Sequence, residues 1–337
     1  FAETKLKTVT VPYGTKVIDH NAFSHNRELK SVDLSAGEDM MIMSNVFYNT
    51  GLTSVHIGAN VRFIGEYAFM DLDDLTAFTV DENNPYYSVT DGVLFNKAGT
   101  TLVSMPAGRT GSYMIPAKVE VLSFGAFENS HLSEITIEEG SRLVTFGYRA
   151  FYGAKNLTSF TVPKGVVSID YYAFAECDKL ETVIFEEGNR LSGIYEGAFF
   201  GCRSLENITL PDTVVEISDY AFYACESLDT LPLSKNTGVL GIYDYAFAYT
   251  GITDLELSPK IIDIGKYAFQ GIAIKDLVIE PEDIYQISIG LGAFADCDML
   301  ENITLPFVGE EYNSLDNCWF GFIFGSDNPI YDTEFVP

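Results

Sequence analysis

Apolar residues return along this chain on a cycle of 22 to 25 positions. The firmest mark is an Ala-Phe or Val-Phe pair, with Phe at 23, 47, 69, 127, 151, 174, 199, 222, 247, 269 and 294. Five residues before each Phe stands Ile, Leu or Phe, from Ile18 to Ile289. Five or six residues after it comes an apolar residue, followed by others three and five positions on, as in Leu205, Ile208 and Leu210. The last two differ by two, so they share one face of a strand. Pro often follows at once (Pro163, Pro211, Pro306), and its missing N–H ends the strand. Each cycle therefore predicts a strand, a turn, a short apolar segment and a tight Ala-Phe turn. One such unit cannot bury its apolar face alone, whereas stacked units bury all of them together.

The near-complete cycle "LENITLPDTVVEISDYAFYAC" (Leu205–Cys225) resembles the BspA-like leucine-rich repeats of bacterial surface proteins. The resemblance runs from Phe1 to about Phe307. It implies an α/β leucine-rich repeat solenoid of about 12 repeats. A curved parallel β-sheet would line one side, with short helical or 3-10 turns and short strands on the other. Twelve rungs about 4.8 Å apart give an arc of roughly 50–60 Å without a deep pocket. Phe69 and Phe127 are 58 residues apart, so extra chain lies between them. Residues 83–116 are expected to be a variant repeat inserted in a solenoid spanning 1–306. The tail, 307–337, carries Cys318 and the single Trp319 and is expected to cap the stack or begin a linker. The chain opens at Phe1 in mid-repeat, so the natural N-terminus, with any signal peptide, is expected to lie upstream.

Charge narrows the partners. The 48 acidic and 20 basic residues leave a formal net charge of −28. Such a field repels nucleic acid and anionic membranes, and no run of 18 apolar residues predicts a membrane span. It favours solubility and basic partners.

Little in the sequence points to catalysis. Cys177, Cys202, Cys225 and Cys297 each follow a repeat Phe by three, where other cycles place Asn26, Thr50, Ser130, Ala154 or Thr250. That column asks for a small buried residue, and Cys serves as one. No zinc-type spacing, phosphate loop or nucleophile motif occurs, so no metal, cofactor or enzyme activity is expected. His20, His25, His56 and His131 join no nucleophile motif, and Glu138-Glu139 and Glu186-Glu187 mark lengthened loops.

Two columns are candidates for binding. The outward strand positions are short and polar, mostly Ser and Thr, and their most distinctive group is Asp254, Glu256 and Asp276. Tyr172, Tyr220, Tyr245 and Tyr267 precede a repeat Phe by two, as does Tyr67. They are either interface residues or a ladder of rings stacked on neighbouring rungs. The family resemblance implies a monomeric, non-enzymatic protein-binding module, secreted or on a bacterial cell surface. It would attach to host extracellular-matrix proteins or other bacteria. A structural spacer displaying another domain is the alternative.

Overall fold

The computed structural model describes residues 1–230, 233, 238–307, 309–312 and 321–325. The chain divides into two compact units, 1–165 with 176–178, and 166–175 with 179–337. Each is built from turns of parallel β-solenoid, about 13 across the chain.

In the second unit the short strands Ser168–Ile169, Gly193–Ile194, Glu216–Ile217, Gly241–Ile242, Asp263–Ile264 and Ser288–Ile289 form one six-stranded parallel sheet. Its register sets each Ile against the next, from Ile169 to Ile289. Longer strands form the other wall, as where Asp276–Val278 pairs with Asn302–Thr304. Equivalent residues land on one another because every pairing is parallel and in register. The repeat Phe rings of 174, 199, 222, 247, 269 and 294 accordingly stack 5.1–5.6 Å apart, within 12° of parallel.

The Ala-Phe turn explains why helix does not form. The residues two before and two after the Phe adopt the left-handed conformation, as at Tyr220 (φ 55°) and Ala224 (φ 56°). Two left-handed residues within five break any helical run. The N–H groups of Tyr220, Phe222 and Ala224 donate instead to Asp244, Ala246 and Ala248 of the next turn at 2.8–2.9 Å. Those of Ala221, Tyr223 and Cys225 fold back on carbonyls three residues earlier. The expected α/β character with helical turns is therefore corrected. Among the described residues the helical element is the 3-10 turn Phe322–Phe324, and the wall opposite the long strands is short strands and β-turns.

The first unit repeats this plan, with Phe23, Phe47 and Phe69 stacked at 5.7–5.8 Å, then departs from it. Tyr87–Thr90 and Val93–Asn96 form a hairpin around Asp91 (φ 51°) and Gly92 (φ 73°), the left-handed pair that a two-residue turn requires. Val93–Asn96 pairs antiparallel with Thr101–Ser104, which returns to parallel pairing with Val121–Leu122. This segment supplies no Ala-Phe turn of its own. The N–H groups of Tyr67, Phe69 and Asp71 consequently meet no carbonyl of a following turn. Beside them lies a cavity of roughly 70 Å³ lined by Tyr67, Phe69, Met105, Phe124 and Glu128. At that volume it has room for a few waters.

Candidate functional site

The four second-unit tyrosines occupy the left-handed position, at φ 53–57°. Apart from Tyr67 and Arg149, this position elsewhere holds Asn21, Asn45, Gly125, Gly197 or Gly292, residues at ease with positive φ. Tyr offers no such relief, so its ring contacts must offset the backbone cost. Tyr220 and Tyr245 stack at 5.0 Å and 4°, and Tyr245 and Tyr267 at 5.0 Å and 16°. The Tyr267 ring then lies across Gly292, where a Cβ would come within 2.4 Å of it. Tyr172 stands apart from these three. Its ring covers Gly197, its hydroxyl donates to Glu196 Oε1 at 2.7 Å, and it leans on Phe200.

A second aromatic row runs beside the first. Phe200 stacks on Tyr223 at 5.0 Å, Tyr223 meets Tyr249 edge-on at 5.5 Å, and Tyr220 touches Tyr223 at 5.8 Å. All remain partly exposed. The two rows make a continuous aromatic edge. Its second row escapes a search restricted to the position two before Phe, but is legible one or two positions after it.

Carboxylates border the same edge. Glu196, Asp219 and Asp244 stand three before Phe on consecutive turns, and Glu216 and Asp263 lie near Tyr243. Asp219 Oδ1 accepts the Asp244 N–H at 2.9 Å, and Asp244 Oδ1 accepts the Lys266 N–H at 2.7 Å. Burial, and then the neighbouring Asp244 and Glu196 charges, hold the Asp219 carboxyl above its usual range, partly offset by that N–H. Burial and Asp244 do the same to Asp263. These carboxylates are the part of the edge that inspection of the tyrosine column alone misses.

Asp254, Glu256 and Asp276 come together elsewhere, on the long-strand wall. With Val278 and Glu280 they line an open trough of roughly 490 Å³. Asp276 Oδ1 accepts from Asn302 Nδ2 at 2.6 Å, and Asp254 is held by a parallel bridge to Thr230. Among the described residues, no three His, Cys, Asp or Glu side chains converge as a metal-holding group.

The cysteine column is buried, and its four described members are thiols. Cys177, Cys202, Cys225 and Cys297 donate to the carbonyls of Phe151, Phe174, Phe199 and Phe269 at 3.0–3.5 Å. Each caps a carbonyl of the preceding turn, which suits a small weak donor. Burial raises the Cys225 thiol strongly and lifts Cys297 to about 11. Native Cys177, Cys202 and Cys225 are therefore expected to resist a thiol-specific reagent until the protein unfolds. Residue-resolved mass spectrometry checks this, and rapid labelling of any of the three in the folded chain contradicts it. Cys318 and Trp319 lie outside the described residues.

The in-register Ile and Phe columns, the left-handed turn and the small thiol position together define the repeat. A family model for the BspA type leucine rich repeat region, in 6 copies, matches residues 1–106, 109–228 and 168–300. The chain belongs to the BspA type leucine rich repeat family. Its fold is similar to a leucine-rich repeat protein from Eubacterium ventriosum (TM-score 0.67, 24% identity, covering 79% of this chain and 77% of that one). It is also similar to the pneumococcal vaccine antigen PcpA (0.57, 20%, 91% and 64%). A third similar structure is a leucine rich cell surface protein from Faecalibacterium prausnitzii (0.51, 24%, 96% and 64%). At these identities the likeness shows fold alone. The chain spans less than two thirds of the latter two. Comparison with curated proteins gives no match. For a BspA type repeat chain, the exposed edges and columns are where binding chemistry must be sought, since each turn spends its interior on packing.

Proposed function

We propose that this chain is a non-enzymatic protein-binding module, secreted or at a bacterial cell surface, which attaches as a monomer to host extracellular-matrix proteins or to other bacteria. The observation that carries the reading is the aromatic edge of the second unit with its border of carboxylates. Tyr brings large contact area at low entropy cost, and like charges held on consecutive turns suit a partner of opposite sign. The Asp254, Glu256 and Asp276 trough is a second candidate surface of the same sign. The similarity to a leucine rich cell surface protein from Faecalibacterium prausnitzii supports the location.

The 307–337 segment is proposed to cap the solenoid of 1–306 through its described residues 321–325. Supporting this, the Gly292 and Phe294 N–H groups donate to Phe322 and Ile323 carbonyls at 2.9 and 2.8 Å, where a further turn would otherwise accept them. Residues 83–116 act as a variant repeat.

The test is a surface-binding assay against fibronectin, fibrinogen, collagen, laminin and whole bacteria, at low and physiological salt, with and without calcium. Saturable binding that survives physiological salt is expected. Binding that vanishes with salt, or none, would favour the spacer. That second reading has its own support, because the chain covers only 64% of two structural relatives and further segments of those proteins lie outside the match.

A further inference from the structure

We infer that the aromatic edge of the second unit receives a cationic α-helix of a protein partner, with arginines one helical turn apart lying along Tyr220, Tyr245 and Tyr267. The inference rests on the protein-binding reading above and specifies its face and chemistry.

The sign of the partner follows from the border. Glu196, Asp219 and Asp244 succeed one another on adjacent turns, with Glu216 and Asp263 close by. Among the described residues none of the five forms an ion pair, although other carboxylates do, as Glu226 with Arg203 and Glu301 with Lys275. Lys266, next in the column after Asp244, is the local cation. Stacking like charges in register is unfavourable in the isolated chain. The lifted Asp219 and Asp263 carboxyls reflect burial and that repulsion. A guanidinium relieves it, since its planar fork pairs with a carboxylate on two N–H groups while its apolar stem lies on the tyrosine rings.

The shape of the partner follows from spacing. The tyrosine rings advance 5.0 Å per turn of the solenoid. An α-helix advances about 5.4 Å per turn, so side chains at i, i+4 and i+7 stay nearly in step with three successive rungs. An extended strand repeats on one face at about 6.7 Å and slips by more than 3 Å over the same distance. The acidic trough around Asp254 offers the same sign without an aromatic row, so it lacks the apolar contact that would hold the arginine stems.

The test uses the whole chain in calorimetric titration with an Ala-rich peptide bearing Arg at i, i+4 and i+7. A control peptide is identical except that one central Ala is replaced by Pro, which breaks the helix. Two variants are measured. E196Q/D219N/D244N removes three charges but keeps the oxygens that accept from the Tyr172 hydroxyl and the Asp244 and Lys266 N–H groups. Y220N/Y245N/Y267N places Asn in a left-handed position it already holds at Asn21 and Asn45. Saturable binding of the helical peptide is expected, weakened about tenfold or more by either variant and by the Pro control, and reduced at high salt. No saturable binding by the native chain overturns the proposal, as does equal binding by the carboxamide variant. An equally tight Pro control overturns the helical register. If the tyrosine variant fails to fold by circular dichroism, the carboxamide variant decides. Binding to a matrix protein that the carboxamide variant leaves unchanged keeps the module reading and overturns this edge. Absence of binding to both peptide and matrix panel overturns both.

Discussion

Phe222→Ala is expected to destabilise the second unit by about 3–5 kcal/mol, as deletion of a large buried aromatic does. The Phe222 ring is fully buried, 5.2 Å from Phe199 and 5.1 Å from Phe247, so the change removes two stacking contacts as well as the transfer energy. Solenoid stability is a sum of turn energies and nearest-neighbour interfaces. The damage should therefore centre on the turns of Phe199, Phe222 and Phe247. Hydrogen exchange reads this directly. The N–H groups of Phe199 and Phe222, which bond the next turn's carbonyls at 2.8 Å, should lose protection first. Urea denaturation should show the unit unfolding at lower denaturant. Unchanged protection at those two amides would show that the Phe column is not what couples the turns.

The second large effect is expected at Glu128 and Arg149 in the first unit. Arg149 Nη2 lies 2.7 Å from Glu128 Oε1, and the guanidinium sits 3.6 Å from the Tyr152 ring centre. Glu128 is only 5% exposed, its oxygens lack aligned hydrogen bonds, and burial lifts its carboxyl to about 7 against the opposing pull of Arg149. A carboxyl whose folded pKa exceeds its unfolded value binds its proton more tightly in the native state. Its stability contribution is fully present below about 4.5 and is lost as pH rises through about 7. The shift corresponds to about 3 kcal/mol at most. Wild-type stability should thus fall between pH 5 and pH 8 more than that of E128Q, which keeps the shape and cannot ionise. R149M leaves the carboxylate without its cation and should cost about 3 kcal/mol or more at pH 8, and less at pH 5. Urea denaturation at the two pH values checks both. Equal slopes for wild type and E128Q would show that Glu128 does not titrate in this range.

The position of that pair illustrates how far local pattern reaches. Glu128 directly follows a repeat Phe, and nothing in its own cycle sets it apart from Tyr223, which follows Phe222. It is buried because the 83–116 segment omits an Ala-Phe turn, leaving Tyr67, Phe69 and Glu128 around one cavity. The carboxylate border is a similar case. Glu196, Asp219 and Asp244 are plain in the sequence as acidic residues, but their adjacency comes from parallel register, which places residues 23 and 25 apart on neighbouring turns.

The sequence by itself determined the repeat, its period, the Ile and Phe columns and the small thiol position, because each recurs in most turns and stacking demands it. It also located the tyrosine column and the acidic strand positions. It predicted helical turns where the chain makes left-handed ones, since Tyr, Arg149 and Ala224 carry no local preference for positive φ. Only the tertiary structure decided that point. In the second unit the next turn's carbonyls fix those N–H groups, and ring stacking holds Tyr220, Tyr245 and Tyr267 where an isolated peptide would relax. It likewise decided which tyrosines stack and which carboxylates share an edge, because both depend on contacts between turns.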